Sequence, residues 1–114
     1  MATRISRLPT NFNNKLNCPR FIHLDVAPPH GIPETVLSET VYEIITEDNS
    51  HAPVKVQLDD LARLELQKVG SIITWQSHGM NMSEYIDYMI TQGRDIKPST
   101  MMAVYLFRRI DNAA

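Results

Sequence analysis

The chain is poor in the residues that announce most catalytic and structural chemistries. Its single cysteine, Cys18, excludes an internal disulfide, and it stands five residues before His23 at the entrance to a strand, a poor arrangement for a thiol and its base. The four glycines, at 31, 70, 79 and 93, are isolated turn residues, so no glycine-rich loop can cradle a phosphate. No HxxxH or HxH spacing joins the histidines; His23, Asp25, His30 and His78 are the ligands on offer, and their spacing argues for no metal, so neither metal nor cofactor is expected. No apolar run approaches the ~20 residues of a membrane span. The opening MATRISRLPT carries two arginines but no following apolar block, so it does not read as a secretory signal. With one cysteine and no signal, a cytoplasmic, reducing setting is expected.

What the chain does have is uneven charge. Residues 1 to 24 hold Arg4, Arg7, Lys15 and Arg20 without an acid, whereas residues 25 to 65 hold nine acids against Lys55 and Arg63. The formal net charge is only −2, which argues against strong non-specific binding to duplex DNA. Basic character returns at Arg94, Lys97, Arg108 and Arg109, so neighbouring first and last strands would join the two ends into one positive face. Solvated terminal charges explain the same distribution without a partner.

At 114 residues, 43% hydrophobic and 21% charged, the chain reads as one domain, 1–114, in which residues 1–14 form a flexible basic arm. From Phe21 the residues alternate with strand period: Ile22, Leu24 and Val26 point to the core, and Phe21, His23 and Asp25 point the other way. APPHGIPE, with three prolines and a glycine, must be a loop and is long enough to rim a site. TVYEIIT (40–46) and the alternating Val54–Leu58 read as a hairpin across EDNSHAP. Asp59–Val69 fits both a short helix capped by Asp59 or Asp60 and an alternating strand; a helical turn followed by irregular or extended chain is expected. Asn81–Gln92 is a helix with Asn81 or Ser83 as cap, Glu84 and Asp87 at its positive end, a Met82, Ile86, Met89 and Ile90 stripe, and Gly93 as its stop. MMAVYLFRRI (101–110) is apolar on both faces up to Phe107, as a central strand requires.

In this order of elements, and in local wording, the chain resembles the ASCH group of the PUA-like superfamily. NNKLNCPRFIHLDV stands where that family has a basic residue and then a threonine on an early strand. VYEIITED with VKVQLDDLARL resembles its central strands and following turn, and HGMNMSEYIDYMI with MMAVYLFRRI resembles its short helix and final strand. The resemblance implies an α+β fold: a small mixed or antiparallel β-barrel of about five to six strands with one or two short helices. Some members of the group are small amidohydrolases that cleave the acyl group from cytidine acetylated on its exocyclic nitrogen, using a lysine, a threonine and a glutamate. Carried over, the lysine falls on Arg20, the threonine on His23 and the glutamate on or beside His78. Arginine does not release its proton near neutral pH, so Arg20 can bind phosphate or a carbonyl but cannot act as the base.

Arg20, His23, Asp25, Trp75 and His78 are therefore the candidate binding residues at the barrel mouth, and His23, His78 and Asp25 the candidate catalytic ones. Asp25, two residues from His23 on one strand face, would fix or charge the imidazole, and His78 would supply a second proton carrier. Two histidines and an arginine also suit ribonuclease chemistry. The plainer alternative makes His23 a half-buried strand residue hydrogen-bonded to Asp25, SHGM a turn before a helix, and Trp75 a core anchor. Trp75 and Tyr42 are the aromatics available to stack on a base. The leading expectation is a domain that binds RNA or a modified nucleoside. The rivals are a hydrolase on the same scaffold, acting on acylated nucleosides or as a ribonuclease, and a phage or mobile-element module that binds a host protein through its acidic middle, a strand edge or its methionines.

Overall fold

Five strands, two α-helices and a 3-10 segment make up residues 3–27 and 41–110, the part of the chain that the computed structural model describes. In chain order they are β1 (Thr3–Leu8), the 3-10 segment (Phe12–Asn17), β2 (Arg20–Val26), β3 (Val41–Thr46), β4 (Val54–Glu65), α1 (Leu66–His78), α2 (Met82–Thr91) and β5 (Met101–Arg109). The proline-rich segment expected to rim the site, and His30 with it, lies outside the described residues. None of the described helices is long and apolar enough to cross a membrane.

The fold is α+β, with one mixed sheet in the order β1-β3-β4-β5-β2. The hairpin expected from TVYEIIT and Val54–Leu58 is the antiparallel β3–β4 pair, and β5 is central, flanked by β4 and β2. The expected small barrel-like α+β fold is borne out, and two local expectations are corrected. Among the described residues the sheet is barrel-like but not closed: β1 and β2 are its two edges, and the connection between them turns inward, burying Phe12, Lys15 and Leu16 instead of adding a ladder. Thr3–Leu8 is not part of a loose arm but pairs in parallel with β3, from Thr3 opposite Val41 to Leu8 opposite Thr46. Asp59–Glu65 is not a helical turn. It continues β4 through a register shift between Leu58 and Asp60, which absorbs the two consecutive aspartates, and the alternating RLE then pairs with β5. The helix begins only at Leu66, and it bends at Gly70, whose φ of 78° and ψ of 161° are not helical.

Both faces of the sheet are covered, which changes the reading of β2. Phe21 packs with Leu8, Leu16, Ile44, Val54, Val56, Leu58 and Phe107 on one face, while Leu24 packs with Leu66, Val69, Tyr85, Met89 and Met102 on the other, beneath the helices. The face of β2 that carries His23 and Asp25 is thus an interior face, opposite Tyr105 and Ala103 of β5. On α2 the buried positions are Tyr85 and Met89, whereas Ile90 is exposed, so the stripe is rotated from the one expected. Asn81 caps α2 with a full capping box: its side chain accepts from the Glu84 N–H at 2.9 Å, and the Glu84 carboxylate accepts from the Asn81 N–H at 3.0 Å.

Candidate functional site

The site is assembled where the 3-10 segment and the end of α1 meet the free edge of β2. Asn13 and Asn14 both hold left-handed backbone, φ 55° and 54°, which asparagine tolerates better than most residues, and this kink lies immediately before the buried Lys15 and Leu16. The Asn11 side chain secures the turn by accepting from the Leu16 N–H at 3.0 Å. On the other side, α1 stops at Gly79, φ 69°, whose N–H donates to the Trp75 carbonyl at 2.7 Å. The Asn13 side chain donates to that same carbonyl at 3.2 Å, so the two chain reversals are tied to each other.

This junction brings four polar side chains into contact. The Leu24 N–H on the edge of β2 donates to Ser77 Oγ at 2.7 Å, which spares an edge amide from being buried without a partner. Ser77 Oγ also lies 2.7 Å from His78 Nδ1; since Ser77 is fully buried and its oxygen already accepts from Leu24, its own proton goes to that nitrogen. Lys15 Nζ donates to the Ser77 carbonyl at 2.8 Å and lies 2.7 Å from His23 Nδ1. The His23 and His78 rings stack with centroids 5.4 Å apart, and His78 is packed between Phe12 at 4.4 Å and Tyr85 at 4.9 Å.

Crowding three bases away from water lowers the affinity of each for a proton. Burial, opposed by the charge of Asp25, brings Lys15 down from 10.5 to about 7. Burial and then Lys15 bring His78 down from 6.5 to about 3, and burial, Lys15 and His78 in that order hold His23 well below 6.5. Near neutral pH the histidines are uncharged, and Lys15 is poised between its two forms. As an ammonium it donates to His23 Nδ1 and leaves Nε2–H as a donor. As an amine it accepts from Nδ1–H and leaves Nε2 as a base.

His23 and His78 line a cavity of about 230 Å³ together with Phe12, Tyr88, Met89 and Gln92, and Arg7, Asp25, Glu47 and Arg94 bring charge to it. A smaller cavity of about 120 Å³, lined by Tyr42, Ile44, Tyr105 and Phe107, shares Arg7, Leu8, His23 and Asp25 with it. Both therefore lie between β1 and β2, where the sheet fails to close.

The structure brings together His23, His78 and Asp25 of the expected set, and leaves out two members. Arg20 is exposed at the start of β2, opposite Arg108, and Trp75 is 57% exposed on α1; neither lines the cavity. Trp75 is not a core anchor either. Asp25 does not orient His23: its carboxylate accepts from the Val26 N–H at 2.8 Å and pairs with Arg94 at 3.1 Å, while Lys15 takes His23 Nδ1. Of the positive face expected from the two termini, Lys15 is buried, Arg108 pairs with Asp59 at 3.0 Å, and Arg109 donates to the Leu16 carbonyl at 3.0 Å, whereas Arg7, Arg20 and Lys97 are exposed. Cys18 is exposed, and among the described residues no group of histidine, cysteine or acidic side chains is arranged to hold a metal ion. Lys15, which the sequence offers only as one of several basic side chains for phosphate, is instead buried beside the two histidines. Its signal was NNK: consecutive asparagines that favour a reversal turning the next side chain inward.

Comparison with solved structures gives this arrangement its context. A serine-to-alanine mutant of the ZmASCH protein from Zymomonas mobilis superposes with a TM-score of 0.59 at 12% identity, over 96% of this chain and 68% of that one. The fold is ASCH-like. A protein from Enterococcus faecalis assigned to the DUF984 family gives a TM-score of 0.60 at 7% identity, over 96% of this chain and 76% of its own. No protein-family model matches the sequence. No curated protein matches it either. At these identities the ASCH-like kinship is one of fold, and the chemistry of the cavity has to be argued from its own residues.

Proposed function

We propose that the cavity between β1 and β2 binds RNA or a nucleotide-like ligand, with His23 and His78 hydrogen-bonding the base and Arg7 and Arg94 facing its phosphate. The observation that carries this is the convergence of two uncharged imidazoles, from segments 55 positions apart in sequence (78 − 23), on one cavity that two arginines also line. Neutral rings flanked by aromatic side chains suit a planar, polar base, and guanidinium groups suit a phosphate. The experiment is binding of the dinucleotide CpC at low salt, where phosphate contacts count most. His78→Ala or His23→Ala is expected to weaken it about tenfold, the worth of one hydrogen bond of about 1.5 kcal/mol, while Arg20→Ala and Trp75→Ala leave it within about twofold. Weakening by the latter pair, with the histidine variants unaffected, would move the site elsewhere.

A second reading is favoured by Lys15. The arginine at the strand position weighed against an amidohydrolase, yet a lysine with a pKa of about 7 reaches His23 from the 3-10 segment. With Lys15 as the free amine, His23 takes a proton from water at Nε2 and passes its Nδ1 proton to Lys15. The water oxygen bonds to the acyl carbon, the bond from that carbon to the exocyclic nitrogen breaks, and the proton held by the Lys15–His23 pair goes to the leaving amine. Acetate release from cytidine acetylated on its exocyclic nitrogen tests this. Release that rises through pH ~7 and is lost in Lys15→Met supports hydrolysis; binding without release supports recognition alone.

A further inference from the structure

Lys15, His23 and His78 form a chain of bases linked by one 2.7 Å contact and one 5.4 Å ring stack, with Arg7 and Arg94 lining the same cavity. Among the described residues two acids line that cavity beside the two arginines; Asp25 and Arg94 pair with each other, which leaves Arg7 and Glu47. Among the described residues the titratable groups packed against the two imidazoles from other elements are phenols: Tyr85 and Tyr88 of α2 flank His78, and Tyr105 of β5 stacks on His23. All three phenols are shifted upward, mainly by burial, so they stay neutral while the bases titrate. Within such a cluster each proton raises the cost of the next, and the cluster therefore holds fewer protons than it has bases. An anion in the cavity reverses that cost.

We propose that the cavity takes a phosphate-bearing anion and that the Lys15–His23–His78 cluster takes up a proton from solvent as the anion binds. This rests on the nucleotide reading of the site and makes it more specific: phosphate is the determinant, and recognition is coupled to pH. The approximate midpoint of 7 for Lys15 means that the cluster is only partly filled near neutrality, so there is a place for the incoming proton. By linkage, affinity falls as pH rises above neutrality, by at most about tenfold per pH unit for one proton.

The test is isothermal titration calorimetry near pH 7, in buffers of different ionisation enthalpy, with three probes: CpC, whose phosphodiester does not titrate there, sulfate and cytidine. The expected result is that CpC binds with net uptake of up to about one proton, and that Lys15→Met and His78→Gln each reduce the uptake. Two independent variants guard against one of them failing to fold, which circular dichroism reports. Sulfate binding with uptake, where CpC and cytidine bind no better, upholds the proton-coupled anion site and overturns base recognition. CpC and cytidine binding alike without proton uptake overturns the inference and leaves the nucleotide pocket standing. No binding of any probe overturns both.

Discussion

Lys15 is 3% exposed, yet it carries an amine held by one carbonyl and one imidazole, and most of what distinguishes this site follows from that placement. A base whose pKa is lower folded than unfolded binds fewer protons in the folded state, so it adds stability as pH rises. For Lys15 the window runs from about 7 up to the ordinary 10.5. Urea unfolding should therefore show stability climbing from pH 7 towards pH 10, with the slope reduced in Lys15→Met; an unchanged slope would mean that the amine is not held near neutrality. His78 has the same sign in a lower window. Stability present above 6.5 is lost as pH falls towards about 3, and His78→Gln should flatten that loss. The sequence made His23 and His78 legible because polar residues in an apolar strand and before a helix stand out. Lys15 did not stand out, because a lysine in a polar, asparagine-rich stretch looks like surface until the turn that inverts it is known.

Among the elements, the junction between the 3-10 segment and the end of α1 matters most, since it sets the distance from Lys15 to His23 and His78. Gly79 is its narrowest point: at φ 69° a side chain is strained, and an added Cβ would stand 3.3 Å from the Asn13 Cβ. Gly79→Ala should cost about 1 kcal/mol or more in denaturant unfolding and should also weaken CpC binding by separating the two segments. By contrast, Asn81→Ala should cost about 1 kcal/mol through the lost cap of α2 and leave binding unchanged, because Asn81 does not line the cavity. Elements with strong periodicity were legible: β2, the β3–β4 hairpin, α2 and β5 lie close to where the residue pattern puts them. β1 was missed because a short edge strand in parallel pairing has no long apolar run to advertise it. The Asp59–Glu65 stretch was misread because the local preference of two aspartates for a helix cap lost to nine residues of cross-strand pairing with β5, counted from Val56 to Glu65 across the register shift.

At the scale of the whole molecule, the decisive feature is that the sheet of this ASCH-like fold stays open among the described residues. A closed barrel would bury the edges of β1 and β2; here the gap between them is where the cavities lie, and the edge amide of Leu24 is satisfied by Ser77 from α1. Two of the basic residues noted in sequence, Arg94 and Arg108, pair with Asp25 and Asp59, and the cations that line the cavity, Arg7 and Arg94, come from opposite ends of the chain. That convergence is a property of the fold, and no local stretch of sequence displays it. The most direct test of the central claim, that ligand binds between β1 and β2, uses the histidines as reporters. CpC should be titrated into protein labelled at the imidazole and indole nitrogens, with His51 as an internal control, since it is held by Asn17 and the Ala52 carbonyl and lines neither cavity. Ligand bound between β1 and β2 should shift the His23 and His78 resonances together while those of His51 and the Trp75 indole stay in place. Shifts confined to Trp75 or His51, with His23 and His78 unmoved, would contradict it.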